Sequence, residues 1–380
     1  MEDARWHWGP LDLGPWFSLK DLTYVNNVFG TPDNQISDFT ATAGLGVEGY
    51  LHIGRKVILA FDALPEYVWW RELAERRVWN GRYGAGLFAY FNRLTLEATA
   101  STSREQGYFS SELDQPINIG DDRGSATLEL KLLPKLSLVA MASLSRWRFR
   151  QPGIAAAEAN LLLPLERDES LLQGGLRYYL GAKSSIGIGV THLATDFLHP
   201  QQDRSSSGNG AVAELVLNGA RTGVSASVVI SNLKPAPGSA FVPFNRPLGR
   251  ILAYWRLTPD LTCRVYGARN LVYSLAESSP YFQDERIGIS ADTPLGSRST
   301  LSLFAEDGRF NYVATPATVG QTSFTLTSYG ATLTLALSKM LTFVVDGSSS
   351  RYTSGLYAGQ RSFARIQTSV RFNQRGAEWW

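Results

Sequence analysis

The sequence holds a single cysteine, Cys263, among 380 residues. One thiol rules out a disulfide framework and any zinc site built from cysteine alone. Histidine is scarce as well: His7, His52, His192 and His199 are scattered, and no pair with a nearby carboxylate has ligand spacing on one face. The 36 basic residues nearly balance the 34 acidic ones, which argues against a chain that coats nucleic acid. Aromatics at 12% argue against disorder. No glycine-rich phosphate loop follows a strand and opens a helix, and no cofactor is expected. Charged residues reach only 18%, below the roughly 25% usual in soluble domains. That shortage implies a surface that does not all face water.

Long hydrophobic runs are missing too. A long uncharged stretch, Tyr312 to Ser338, contains Pro316 and Gly320 and then alternates Thr and Ser with Leu. A spanning helix needs roughly 20 mostly apolar residues in a row, so none is expected. The opening Met1-Glu2-Asp3-Ala4-Arg5 is acidic and runs into Trp6 and Trp8, unlike a secretory leader. The expectation is a mature chain whose leader has been removed.

What the sequence does have is apolar residues at every second position. Phe39, Ala41, Ala43, Leu45, Val47, Leu51 and Ile53 alternate with Thr40, Thr42, Gly44, Glu48, Tyr50 and His52. In a strand these two sets point to opposite sides of the sheet. The split recurs around Leu94–Ser101, Thr127–Leu132, Leu172–Leu180, Arg250–Leu257, Thr300–Glu306 and Leu341–Ser348. Lys56 to Trp70 and Leu136 to Phe149 read equally well in either register.

Connections alternate as well. Short turn signals fall at Gly54-Arg55, Asn92-Arg93, Pro134-Lys135, Ala182-Lys183, Ala220-Arg221, Pro259-Asp260, Gly296-Ser297 and Ser338-Lys339. Longer polar segments lie between them: Asn26–Ser37, Gln106–Asp122, Gln151–Asp168, His199–Gly208, Lys234–Asn245, Thr315–Thr322 and Ser354–Gln360, with shorter breaks near Glu72–Glu75 and Glu277–Pro280. Short turn, long loop is the rhythm of an up-and-down sheet with one busy end. The count is about 18 strands, with 16 the next best. The expected division is an N-terminal periplasmic segment over 1–15, a transmembrane antiparallel barrel over 16–372 and a C-terminal periplasmic tail over 373–380.

A soluble β-propeller alternates too, in blades of about 40 to 50 residues. No blade signature repeats here, and the strands run about 11 to 16 residues against a usual five or six. A tilted strand crossing a bilayer needs about 9 to 11, and a closed barrel leaves no backbone polar group unpaired in lipid. Aromatics stand near the ends of the apolar faces: Trp69, Trp79, Trp147, Tyr178, Trp255, Tyr329 and Phe372. They read as a girdle at the headgroup layer, the alternative being core aromatics of a sandwich.

Two segments carry a resemblance. Trp8-Gly9-Pro10-Leu11-Asp12-Leu13-Gly14-Pro15, then Leu22-Thr23-Tyr24-Val25-Asn26-Asn27-Val28-Phe29 and the loop Thr31-Pro32-Asp33-Asn34, resemble the opening of a family of outer-membrane β-barrels often linked to exopolysaccharide production. The resemblance implies a barrel of the Gram-negative envelope and a pore for exported polysaccharide. The run Ser369-Val370-Arg371-Phe372 is similar to the terminal signal by which such barrels are recognised for assembly.

If the apolar faces meet lipid, the others line a lumen. Candidate lining residues are Glu48, Tyr50, Glu97, Glu129, Lys131, Arg177, Tyr179, Arg250, Tyr254, Arg264, Arg286 and Arg365, with Tyr90, Arg256, Tyr266 and Arg371 beside them. Acid is richer in the first third and arginine in the remainder, an arrangement that orients polar solutes and sets ion preference. Equally, the charges could pair across neighbouring strands and fill the interior. Tyrosine faces stack on sugar rings while Arg and Glu bond the hydroxyls; inward tyrosines also serve as simple filler.

Catalysis has one weak pointer, Asp196 and His199 near an outer loop. The leading expectation is therefore not an enzyme. It is a porin-like outer-membrane channel for hydrophilic solutes, plausibly a secreted polysaccharide. The alternatives are a non-conducting structural or assembly barrel and a membrane-embedded hydrolase. Expected partners are outer-membrane lipid, lipopolysaccharide and a periplasmic export or assembly protein.

Overall fold

Each of the eight dipeptides read as turns falls in a turn between two antiparallel strands of the structure, a computed structural model. It describes residues 6–25, 28, 36–107, 112, 117–150, 162–200, 203–276, 279–313, 323–353 and 361–372. The loop part of the family resemblance and the tail 373–380 lie outside these residues.

A short first strand, β1 (Trp6–Trp8), leads into β2 (Leu11–Val25), β3 (Asp38–Ile53), β4 (Val57–Trp70), β5 (Val78–Tyr90), β6 (Leu94–Gly107), β7 (Ile117–Leu133), β8 (Leu136–Arg150), β9 (Arg167–Gly181) and β10 (Ser184–Phe197). The chain continues through β11 (Ser206–Asn218), β12 (Thr222–Pro235), β13 (Phe244–Arg256), β14 (Thr262–Tyr273), β15 (Tyr281–Pro294), β16 (Ser299–Val313), β17 (Ser323–Ala336), β18 (Leu341–Thr353) and β19 (Arg361–Phe372). Each strand from β2 onward pairs with the next, and β19 pairs back onto β2, so eighteen strands close into a barrel. A propeller of separate blades is thereby excluded. The strands run from 12 residues in β14 to 17 in β7.

The two ends of the barrel differ, as the connection lengths implied. Tight turns such as Gly54, which adopts a φ of 65° that favours glycine, gather at one end together with β1 and the last described residue, Phe372. The long connections gather at the other. Where β3 crosses β2, Gly46 stands opposite Trp16; a Cβ there would lie 2.1 Å from the indole, so the bare backbone seats the ring.

Closure is the least regular part of the wall. β2 bulges between Lys20 and Thr23, with Asp21 at φ 54°. Side chains repair the ladder: Thr23 Oγ1 donates to Ile366 O at 2.6 Å, and Gln367 Nε2 donates to Asp21 Oδ1 at 3.3 Å. β19 pairs with β2 over Phe17 to Leu22, and β1 occupies the same edge further down at Leu11 to Leu13.

Buried apolar clusters lie at the long-loop end. The largest joins Ile117, Phe149, Leu162, Leu165, Leu233, Phe241, Phe244, Tyr273 and Tyr281. A second stacks Phe282, Phe310, Tyr312, Phe324 and Leu326, with Phe310 and Phe324 centroids 4.4 Å apart. A third, Val28, Val68 and Trp70, sits under the β4–β5 connection. There the buried Asp38 carboxylate accepts the backbone N–H groups of Phe39, Glu72 and Leu73.

Candidate functional site

Directly opposed residues of an antiparallel pair share a face, so the register fixes which way each side chain points. Starting from the exposed Leu45, Phe61, Leu172, Ile188, Val190, Ile251 and Ile289 as the outer set, the pairing carries the inner set round the ring. β4, readable both ways from sequence, turns Asp62, Leu64, Glu66, Val68 and Trp70 inward. β8 turns Val139, Met141, Trp147 and Phe149 inward. Both were ambiguous for one physical reason: apolar side chains also fill the lumen near the long-loop end.

All twelve candidate lining residues stand on the inner face. Glu48 and Tyr50 come from β3, Glu97 from β6, Glu129 and Lys131 from β7, Arg177 and Tyr179 from β9. Arg250 and Tyr254 come from β13, Arg264 from β14, Arg286 from β15 and Arg365 from β19. They are not one cluster but positions distributed around the wall.

Three arcs follow. From β2 to β6 the inner wall is acidic: Glu48, Asp62, Glu66 and Glu97 face Lys20 and Arg82 as cations, with Lys20 Nζ 2.8 Å from Glu66 and Arg82 Nε 3.7 Å from Asp62. From β7 to β11 charges pair. Arg177 reaches Glu129 and Glu214, each at 3.3 Å, and Tyr179 donates to Glu129 at 2.5 Å. From β13 to β15, on the far side of the ring from β4, arginine prevails: Arg246, Arg250, Arg256, Arg264 and Arg286. Arg264 pairs with Asp292, and Arg286 Nη1 lies 3.0 Å from Glu306. Part of this charge is thus paired across strands and part is not. Arg177, Arg264 and Arg286 are paired across strands. Glu48, Glu97, Lys131 and Arg250 make no ion pair among the described residues. Sequence reasoning missed Asp62, Glu66, Glu214 and Asp292; the two on β4 were hidden by its ambiguous register.

The outer wall is apolar between two aromatic levels. Phe39, Trp69, Tyr67 and Trp79 gather toward the long loops; Tyr178, Trp255 and Phe372 stand toward the short turns, where Trp6 and Trp8 on β1 join them. Trp147 does not belong to this girdle. It points inward, between Arg123 and Arg167, whose guanidinium carbons lie 5.4 and 5.3 Å from its ring. Tyr329 points outward from the middle of its strand. Beyond the apolar band, outward polar groups pair: Arg104 Nη1 with Asp122 at 3.0 Å and Arg148 Nη2 with Asp168 at 2.9 Å.

Histidines are tied elsewhere. His199 Nε2 lies 3.2 Å from Glu166 rather than meeting Asp196, because Asp196 faces outward opposite Asp168. His7 and His52 share Asp12 at the short-turn rim, at 2.5 and 3.2 Å. Among the described residues no group of three or more His, Cys, Asp or Glu is placed to hold a metal ion.

A closed 18-strand barrel with an apolar outside and a charged inside is an architecture of outer-membrane β-barrels, and solved structures share the fold. The chain superposes on OccK2 (OpdF) of Pseudomonas aeruginosa, crystallised with glucuronate, with a TM-score of 0.54 at 11% identity, covering 95% of this chain and 98% of that one. It matches OccAB3 of Acinetobacter baumannii equally, with a TM-score of 0.54, 11% identity and the same coverage. The FrpB iron transporter of Neisseria meningitidis gives 0.50 at 9% identity, over 94% of this chain and 69% of that one. No family model matches the sequence, and no curated protein matches it. At these identities the likeness is one of fold.

Proposed function

We propose that this chain is an outer-membrane, porin-like channel passing hydrophilic solutes, with the long loops outward and both termini in the periplasm. The observation that carries the reading is the segregation of charge on the inner wall: acid on β2–β6, arginine on β13–β15, and paired charge between. Opposed arcs of unlike sign lay a transverse field across the lumen, which aligns dipolar, polyhydroxylated solutes as they pass. Tyr50, Tyr254 and Tyr266 stand on the inner wall beside these charges and offer ring faces for sugars. They support a saccharide as the solute, and the family resemblance supports a secreted polysaccharide. The outward polar pairs Arg104–Asp122 and Arg148–Asp168 lie where lipid headgroups, including those of lipopolysaccharide, would meet the wall.

The test is conductance in planar bilayers, followed by swelling of vesicles in neutral and acidic oligosaccharides. Discrete channels and saccharide-dependent swelling are expected. A purified, folded barrel that never conducts overturns the reading. The apolar clusters at the long-loop end favour one alternative, a structural or assembly barrel closed by its own loops, and that is the result such a silent barrel would establish.

A further inference from the structure

The wall parts at one place. β13 runs from Phe244 and β14 to Tyr273, yet they pair only from Gly249–Arg269 to Arg256–Thr262. On its other edge β13 keeps its ladder with β12 up to Phe244–Leu233. β14 likewise keeps its ladder with β15 to Tyr273–Tyr281. The β14–β15 hairpin therefore leaves the wall and folds into the lumen. The side that alternation turns outward now lies on the inner face of β13. Gln283 Oε1 accepts from Arg246 Nη1 at 3.4 Å, and the Tyr281 ring lies 5.9 Å from that of Phe244.

The inward seat is pinned from two directions. Glu112, from the β6–β7 connection eight strands away round a ring of eighteen, reaches across the mouth. Its carboxylate accepts from Ser274 Oγ, the Leu275 backbone N–H and Tyr312 Oη, each at 2.7 Å. Arg204, from the β10–β11 connection, donates to the carbonyls of Ser274 and Ala276. Charge-assisted bonds on a buried segment are the strong kind.

Among the described residues no strand pairs with β13 in the outward seat. The β13–β14 ladder stops at Gly249–Arg269. Continued, that register sets Arg246 opposite Val272 and Phe244 opposite Ser274. Five residues of β13 thus present a strand edge on the side the hairpin has left. Pro247 falls among them and offers a partner strand only its carbonyl. Strand and berth have matching lengths, and the hairpin bonds well in the place it now holds.

We propose that the β14–β15 hairpin is the gate of the channel, closed in the inward seat by Glu112 and Arg204 and open when β14 zips onto the free edge of β13. This rests on the channel reading above. The test uses the full chain with Cys263→Ser in planar bilayers and vesicles. Glu112→Ala removes a charged acceptor of three bonds, so the open fraction rises by about tenfold or more. Cysteines at Arg246 and Val272, three places beyond the last ladder pair, cross-link only if the outward seat is visited, and the disulfide holds the channel open until dithiothreitol is added. Cysteines at Glu112 and Leu275 lock it shut. The gate is overturned if the Arg246–Val272 pair fails to cross-link while the Glu112–Leu275 pair does, or if Glu112→Ala gates like the parent. If neither parent nor variant conducts, the channel reading fails, and the cross-links alone still decide whether the hairpin moves.

Discussion

Val190 and Gln173 stand on adjacent strands at nearly one height and on opposite faces of the wall. Val190 pairs with Gly174 and Ala211 and is 69% exposed; Gln173 points inward, its Nε2 3.4 Å from Glu214 Oε1. Ile186, four residues below Val190, is level with Tyr178 of the short-turn aromatics. At about 3.3 Å per residue and a tilt of roughly 40°, each residue adds about 2.5 Å of height. Val190 is therefore about 10 Å above that aromatic level, close to the middle of an apolar band about 25 Å tall. Val190→Arg places a guanidinium there at a cost of about 2–4 kcal/mol, about 30- to 700-fold in the folded-to-unfolded ratio. Gln173→Arg puts the same charge against Glu214 in the lumen, where a half-exposed pair changes stability by no more than about 1 kcal/mol. Urea titration in phospholipid vesicles, read by gel mobility of unboiled samples, compares the two. Equal losses, or a larger loss for Gln173→Arg, would refute the assignment of faces.

Three other outcomes follow from local geometry. Gly46→Ala drives a methyl to within 2.1 Å of the Trp16 indole and lowers stability by roughly 1–3 kcal/mol in the same titration, a penalty that Trp16→Ala in the same chain relieves. Arg177→Met leaves Glu129 and Glu214 without their shared cation, so local charge goes from −1 to −2 and the reversal potential in a KCl gradient shifts toward that of K+. Burial pushes the Glu112 carboxyl above its ordinary range, against the opposing pull of Ser274, Leu275 N–H, Tyr312 and Arg204. A raised pKa in the closed seat means that closure binds the proton. The closed state is thus favoured below that pKa and loses this advantage as pH rises through it. Acidification lowers the open fraction, and Glu112→Ala abolishes that dependence.

Much of the architecture is legible in the chain because a barrel wall obeys one rule at a time. Strands such as Phe39–Ile53 need apolar groups on one face and small or polar groups on the other, and dipeptides such as Pro134-Lys135 and Ala182-Lys183 mark the tight turns. The rule weakens where the lumen itself becomes apolar. Leu64, Val68 and Trp70 on β4, and Val139, Met141 and Phe149 on β8, point inward yet look like lipid-facing residues, so register there needs the neighbouring strands. Trp147 was misplaced for the same reason. The infolded hairpin leaves no mark at all: Leu271 and Tyr273 continue the outward alternation of β14, and only tertiary contact with β13 reveals that this face is covered. Ion partners such as Glu214 for Arg177 depend on register across two ladders, which local spacing does not carry.

The decisive measurement is thiol accessibility along one pair of strands in a Cys263→Ser background. Single cysteines at Ser290 and Thr332, both directed inward, and at Ile289 and Leu303, both directed outward, are placed in vesicle-embedded protein and treated with a charged, water-soluble maleimide. Rapid reaction at 290 and 332 with protection at 289 and 303 is the expected result. Reaction of all four alike, or of 289 and 303 alone, contradicts a wall that turns its hydrocarbon side to lipid and its charged side to an enclosed aqueous passage.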